Sequence, residues 1–277
     1  MPVSTLFVVA TPLGNLGDLS HRAEEVLRTA PVVAAEDTRR IRGLLTHLDA
    51  HPLVLSFHAH SPEKRQDRLL EILGEGRDVA LVTDAGTPGV SDPGETLVAA
   101  VRNAGFAVVP VPGPSAVSTA LSASGLPADR YVFLGFLPRK GRERARLLGI
   151  AGAAEWTVVL YEAPLRLVEL LRDLAAVAGS GRQAVVCREL TKIHEEFRPG
   201  TLEELASYYE AVPPRGEITV VLAGRPDADA EPAPADTAER AAELLASGLS
   251  RKAVVQRLVA DTGVARNEAY RIVTSLP

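Results

Sequence analysis

The stretch Val79-Ala-Leu-Val82, followed by Thr83-Asp-Ala-Gly-Thr-Pro-Gly-Val-Ser-Asp-Pro-Gly94, carries the clearest statement of the fold. Four consecutive apolar residues fit a strand covered on both faces, as in a parallel sheet, rather than one with a wet face. The twelve residues after it hold three glycines, two prolines and two aspartates. Glycine lets a ligand approach the backbone and proline fixes the path of the loop, so the segment reads as a binding loop. Asp84, directly at the strand end, is placed to accept hydrogen bonds from a polar or cationic ligand. Asp92-Pro93-Gly94-Glu95 reads as a helix start, with Asp92 as cap and Glu95 completing a capping box.

Working outward, the same alternation recurs. Strand-like runs at 6–10, 32–35, 53–57 and 106–111 are interleaved with helical patterns at 20–30 and around 68–73, the latter entered by Ser61-Pro62. Strands alternating with helices imply crossovers and a mostly parallel sheet. After Pro112-Gly113-Pro114-Ser115-Ala116, which reads as a hinge, a second series follows. It has strands at 131–134, 157–161, 184–187 and 218–222 and helices at 165–177 and 201–208, with capping-box spacing between Thr201 and Glu204. Residues 225–236, rich in Pro, Ala and Asp, have no side chains suited to packing and read as a linker. Three helical patterns close the chain at 237–247, 250–261 and 266–276, the last two separated by a turn with Gly263, a helix-turn-helix spacing. The expected class is α/β: domains at 1–112 and 113–224, a linker at 225–236 and a helical helix-turn-helix-like module at 237–277.

Composition limits the function classes. The chain has 277 residues, of which 46% are hydrophobic, enough for a sizeable core. The net charge of −5 argues against a general nucleic-acid coat. A single cysteine, Cys187, excludes an internal disulfide and a multi-cysteine zinc site, and its flanks, Ala-Val-Val before it and Arg-Glu-Leu after it, read as a strand end that makes it a small buried hydrophobe. No apolar run reaches the roughly 18 residues of a membrane span. The start of the chain reads as a first strand, not a signal peptide, and the expected setting is the cytoplasm.

Ligands of open parallel sheets lie at the carboxyl ends of the strands. The loop after the first strand, Thr11-Pro-Leu-Gly-Asn-Leu-Gly-Asp18, lacks both the G-x-G-x-x-G of a dinucleotide site and the Gly-Lys-Ser/Thr of a Walker loop. In the third loop Ser115 can cap a helix whose N-terminus could receive a carboxylate. Charge is unevenly spread. Arg139-Lys-Gly-Arg-Glu-Arg-Ala-Arg146 holds five basic residues and one acid, and 247–277 holds five basic residues and two acids. A basic module attached to an acidic body suits local attraction to phosphates. Arg139, Lys140, Arg142, Arg144, Arg251, Lys252 and Arg266 are the candidate RNA contacts, against the plainer reading of solvated helix faces or a packing module.

The three loops at 10–19, 82–94 and 111–116, in this order, resemble the tetrapyrrole-methylase superfamily of S-adenosylmethionine-dependent enzymes. Ala34-Ala-Glu-Asp-Thr-Arg39, Ser56-Phe-His58, Phe133-Leu-Gly-Phe-Leu-Pro-Arg-Lys140, Tyr161-Glu-Ala-Pro-Leu-Arg166, Arg188-Glu-Leu-Thr-Lys-Ile-His-Glu195 and Arg215-Gly-Glu-Ile218 are similar to its subfamily that methylates small-subunit ribosomal RNA. The resemblance covers about 5–224 and extends to the C-terminal helices. Ala163 and Leu165 depart from it, standing where relatives often carry Ser and His.

The resemblance implies two domains with an interdomain cleft, a folded S-adenosylmethionine in that cleft, and a homodimer. It further implies methylation of a ribose 2′-hydroxyl on a decoding-centre cytidine, with the assembled 30S particle as substrate. Carried over residue by residue, the cofactor contacts are Leu13, Asp84, Thr87, Ser115, Ala116, Phe136, Ala163 and Ala223. A ribose hydroxyl needs its proton partly removed before it attacks, and no metal is required. Asp37 or Glu189 is the candidate proton acceptor, and Lys192 or Arg39 the candidate phosphate or oxyanion contact. His58 is the kind of lone loop histidine that is more often structural. The rival readings are a porphyrinoid methylase of the same fold and a DNA-binding regulator.

Overall fold

The computed structural model describes residues 4–58, 63–225, 234–247, 249–262, 264 and 266–276. Ser61-Pro62, Gly263 and most of the expected linker lie outside them, as does the side chain of Arg266. The chain divides into two compact units, Met1–Gly224 and Arg225–Pro277.

The first unit begins with β1 (Thr5–Val9), α1 (His21–Thr29), β2 (Val32–Ala35), α2 (Thr38–His47), β3 (Leu53–Ser56), α3 (Glu63–Gly74), β4 (Val79–Val82), α4 (Glu95–Asn103) and β5 (Ala107–Val111). The five strands form one sheet in the order β3-β2-β4-β1-β5, and every pairing is parallel. β2 and β4 are buried at every position, as strands covered on both faces must be. Val33, Ala35, Ala80 and Val82 pack under α1 and α2, and Val32, Ala34, Val79 and Leu81 pack under α3 and α4.

After α5 (Ala116–Ser124) the chain forms β6 (Tyr131–Phe136), α6 (Arg142–Ala153), β7 (Thr157–Glu162), α7 (Leu167–Ala178), β8 (Gln183–Arg188), β9 (Glu196–Thr201), α8 (Leu202–Ala211) and β10 (Ile218–Leu222). Their sheet has the order β6-β7-β10-β8-β9. This second series does not repeat the all-parallel pairing of the first. Only β6 and β7 run parallel, and β10 is antiparallel to both its neighbours. β9 was not foreseen, because Pro199 and Gly200 weaken its strand pattern. Its place at the sheet edge tolerates a residue that cannot donate to a ladder. Along β7 and β10 the side chains alternate between two cores: Val158, Leu160, Val220 and Leu222 meet α6, α7 and α8, while Val159 and Val221 meet α5.

Local caps explain several boundaries. Thr201 and Glu204 form the expected capping box. Asp92 does not cap α4. Gly94 holds the N-cap position with φ 149°, and a Cβ there would come within 3.0 Å of Leu81 Cδ2. Asp92 is thereby released from the helix.

The second unit consists of α9 (Pro234–Ala246), α10 (Arg251–Thr262) and α11 (Arg266–Ser275) around Ala241, Val254, Val255, Leu258, Val264, Ala269 and Val273. Helix α9 starts at Pro234, inside the expected linker, since proline suits a first helical turn. No helix among the described residues is long and apolar enough to cross a membrane.

Candidate active site

The chain leaves β1 toward β2 on one side and leaves β4 toward β5 on the other, although β1 and β4 are neighbours. That is a topological switch point, where the following loops splay apart and leave a crevice. The loops are tied to one another by short bonds. Thr11 and Gly86 exchange backbone hydrogen bonds of 2.9 and 3.0 Å. The Thr11 hydroxyl donates to the Thr83 carbonyl at 3.1 Å, and the Thr87 hydroxyl to the Pro114 carbonyl at 3.0 Å. Gly86 has φ 88°, a conformation that favours glycine, and a Cβ there would lie 3.3 Å from Leu13 Cδ2, a contact from which the Leu13 side chain would have to give way.

Over these loops lies a cavity of about 420 Å³, a size suited to a small-molecule ligand. Leu13, Asp84, Thr87, Ser115 and Ala116 line it from the first sheet's side, and Phe136 and Ala163 from the second. The structure thus gathers seven of the eight expected cofactor contacts around one space. Ser115 occupies the N-cap position of α5 without a capping hydrogen bond from its side chain. Ala223 is elsewhere and is withdrawn from the site. Because β10 runs antiparallel, its N-terminal end (Ile218, Thr219) reaches the cavity, while Ala223, past its other end, bonds Gln183 and Arg182.

The lining also includes groups not chosen from the sequence: Glu36, Arg40, Asp92, Tyr161, Glu162 and Glu217. Glu36 and Asp92 converge on the buried Thr83, whose hydroxyl donates to Glu36 Oε2 at 3.1 Å. Burial pushes the Asp92 carboxyl up to about 6 against an opposing hydrogen bond with Thr83, and the charges of Glu36 and Asp84 push the same way as burial. Asp84 itself accepts from the backbone N–H of Asp37 at 3.0 Å and lies 3.4 Å from Arg40. Glu162 is buried, its Oε1 accepts from the Ala163 N–H at 2.8 Å, and burial raises its pKa. Its Oε2 lies 3.1 Å from the Arg166 guanidinium but accepts no hydrogen bond. Burial also pushes Tyr161 up to about 12. Phe133 and Phe136 pack against its ring.

The expected acid–base candidates lie off the cavity wall. Asp37 caps α2 and accepts three hydrogen bonds from Arg39, which hold its carboxyl far below the usual range. Asp37 and Arg39 therefore satisfy each other at a helix end. Glu189 accepts from the Lys192 ammonium at 2.9 Å and from the Glu217 N–H at 2.9 Å, and these bonds lower its pKa. Lys192 also bonds Glu217 at 3.1 Å, and its aliphatic stem crosses Gly14 of the first loop. This trio braces one edge of the cleft. Glu36 was legible as the first residue of the Glu-Asp pair after an apolar strand. Asp92 was hidden by its resemblance to a cap.

Of the candidate RNA contacts, Arg139, Lys140 and Arg142 are exposed at the start of α6, just after Phe136. Arg144 is corrected to a structural role: it is buried, pairs with Asp173 at 2.6 Å and donates to the Pro138 carbonyl at 3.1 Å. Arg251 and Lys252 are exposed on α10, where Arg251 reaches the Leu276 carbonyl at 3.1 Å. Arg266 falls where side chains are outside the described set. Cys187 is buried and its thiol is pushed up to about 12 by burial, the condition of an inert core residue.

Residues 5–206 match the family of Tetrapyrrole (Corrin/Porphyrin) Methylases. A protein of a Synechocystis strain named ribosomal RNA small subunit methyltransferase I is 44% identical over 271 residues, covering 96% of each chain. The protein of that name from Escherichia coli O157:H7 is 41% identical, covering 96% of this chain and 93% of its own. Among solved structures, a uroporphyrin-III C-methyltransferase of Thermus thermophilus complexed with S-adenosyl homocysteine superimposes with TM-score 0.57 at 21% identity, covering 79% of this chain and 97% of its own. A cobalt precorrin-4 methyltransferase superimposes with TM-score 0.62 at 18% identity, covering 79% and 94%.

Proposed function

The chain belongs to the ribosomal RNA small subunit methyltransferase I family within the tetrapyrrole methylases, and from that membership we propose that it transfers a methyl group from S-adenosylmethionine to the ribose 2′-hydroxyl of a cytidine in small-subunit ribosomal RNA. The observation that carries this reading is the charge of the cavity. Four carboxylates (Glu36, Asp84, Glu162, Glu217) and one guanidinium (Arg40) line a nucleoside-sized space at the switch point, with Asp92 at its border with a neighbouring cavity. Such a wall suits a cationic ligand.

S-adenosylmethionine, when bound there, supplies an electrophilic methyl group on a positively charged sulfur. Leu13, Ala116 and Phe136 provide apolar and small surfaces for an adenosine, and Asp84, Thr87 and Ser115 provide polar ones. The chain's remaining task is to orient a hydroxyl toward that carbon and accept its proton. Arg139, Lys140 and Arg142 are close in sequence to Phe136 on the cavity wall and are suited to the phosphates flanking the target nucleotide. Arg251, Lys252 and Arg266 of the helical module supply further positive charge. The proposed setting is the cytoplasm, with an assembled small subunit as substrate and a homodimer as the acting form. The nearly full exposure of Leu165 (99%) and Ile193 (97%) in the single chain supports such an association.

The test is incubation with labelled S-adenosylmethionine and small subunits from cells lacking the enzyme, with the label mapped by nucleoside mass spectrometry. Label on a cytidine ribose is the expected result. Cofactor binding without label on RNA overturns the reading and turns attention to porphyrinoid acceptors.

A further inference from the structure

A second, more open cavity of about 900 Å³ adjoins the first on the side of α4, with Phe57, His58, Gln66 and Thr96 on its wall. Three residues belong to both walls: Glu36, Ser91 and Asp92. Where two cavities share a wall, a group on that wall can face a donor in one and an acceptor in the other. Ser91 is held there by its backbone, with φ 61°, and by Gly135 of β6, where any Cβ would come within 2.6 Å of the Ser91 hydroxyl. Asp92 follows it directly, freed from capping α4.

Resting on the methyl-transfer reading above, we propose that Asp92 is the catalytic proton acceptor, that the first cavity holds the methyl donor, and that the second receives the acceptor nucleotide with its ribose hydroxyl against Asp92. In the step the hydroxyl oxygen bonds to the methyl carbon as the carbon–sulfur bond breaks. The sulfur leaves as a neutral thioether with the electron pair of that bond, and the hydroxyl proton passes to the Asp92 carboxylate.

The surroundings of Asp92 accommodate that proton. Thr83 has one hydroxyl hydrogen and two carboxylate neighbours, and it donates to Glu36. Before the step that hydrogen is shared between Glu36 and Asp92; after it, a protonated Asp92 donates to a Thr83 lone pair and the hydrogen serves Glu36 alone. The charged and titratable groups around Asp92 are Glu36 after β2, Asp84 in its own loop and Tyr161 of β7, with Arg40, Glu162 and Glu217 on the first cavity and His58 and Glu95 on the second. The acidic neighbours favour proton uptake and burial does the same, so a base here is ionised at neutral pH yet still competent to take a proton.

The experiment compares wild type with Asp92→Asn in single-turnover transfer from labelled S-adenosylmethionine to small subunits between pH 5 and 8.5, and measures S-adenosylhomocysteine binding by calorimetry. The wild-type rate is expected to fall below a pH of about 6. Asp92→Asn should lose about 100-fold or more in rate and show no such acid limb, with the affinity for S-adenosylhomocysteine unchanged within about threefold. A wild-type profile flat down to pH 5, or a variant that transfers at the wild-type rate, overturns the assignment while leaving the methyl-transfer reading intact. Loss of S-adenosylhomocysteine binding in the variant also overturns it, because Asp92 would then serve the donor or the fold. Failure of the wild type to label RNA overturns the reading, and the assignment with it.

Discussion

The aliphatic stem of Lys192 lies across the face of Gly14, so that a Cβ on residue 14 would collide with Lys192 Cγ. The contact joins the first loop to the turn after β8, where Glu189 and Thr191 hold positive φ values of 52° and 67°. Gly14→Ala should therefore displace Lys192 from Glu189 and Glu217 and cost about 1 kcal/mol or more in stability. In a Lys192→Ala background the same substitution should cost almost nothing. A double-mutant cycle by thermal or denaturant unfolding measures the coupling, and additive effects would show that the contact does not constrain the loop.

Asp92 is held ionised at neutral pH at the expense of the fold. Its folded pKa is raised to about 6 from the ordinary carboxylate value of 3.8. A raised pKa means that the folded state binds the proton more tightly than the unfolded chain. The favourable contribution of the protonated form is therefore complete below about 3.8 and is lost as pH rises through about 6. Asp92→Asn should accordingly raise stability at pH 7, by about 1 kcal/mol once partial solvent exposure is allowed for. The gain should vanish near pH 4. Melting curves across that range test the sign, and a variant less stable than wild type at pH 7 would contradict it.

Two neighbouring arginines should separate cleanly. Arg144→Ala removes a buried guanidinium from Asp173 and the Pro138 carbonyl, and should destabilise the protein by about 2–3 kcal/mol. Arg142→Ala lies on the exposed side of the same helix turn and should leave the melting temperature within about a degree. It should instead weaken binding to small subunits and reduce the salt dependence of that binding by about one unit of slope. Binding measured at several salt concentrations distinguishes the two.

Cys187 should not react with a thiol reagent until the protein unfolds, since its sulfur is buried and its pKa is pushed up to about 12. Modification under native conditions at a rate near that of a free thiol would mean that β8 opens readily.

Much of the architecture was legible because buried parallel strands have few ways to be written. Val79-Ala-Leu-Val82 and Val32-Val-Ala-Ala35 announced themselves, and the glycine-rich loop after the first marked the cleft. The second sheet was harder. Parallel and antiparallel strands covered on both faces share the same apolar runs, so Ile218–Leu222 did not reveal its direction, and Ala223, carried over from the resemblance, lies past the end of β10 that is away from the cavity. At the site, short-range chemistry misled. Asp92 precedes a helix with cap spacing, but the cap is Gly94, and the carboxylate is drawn instead toward Thr83 and Glu36, which are distant in sequence. Charge spacing exposed the basic run at 139–146 but could not tell Arg142 from Arg144, since one helical step decides which faces Asp173.

The position of β10 also bears on how the protein is made. The last strand of the first unit in chain order is the central strand of its sheet, between β7 and β8. A nascent chain can complete the parallel sheet once β5 has left the ribosome, but β7 and β8 remain unjoined until residues 218–222 emerge. During that interval Val159 and Val185 lack their partner strand, so a stall before residue 218 would leave an intact first sheet beside sticky, half-built strands. The wall of the first cavity built by β1, β4 and their loops would then exist on the emerging chain well before the wall built by β6, β7 and β10.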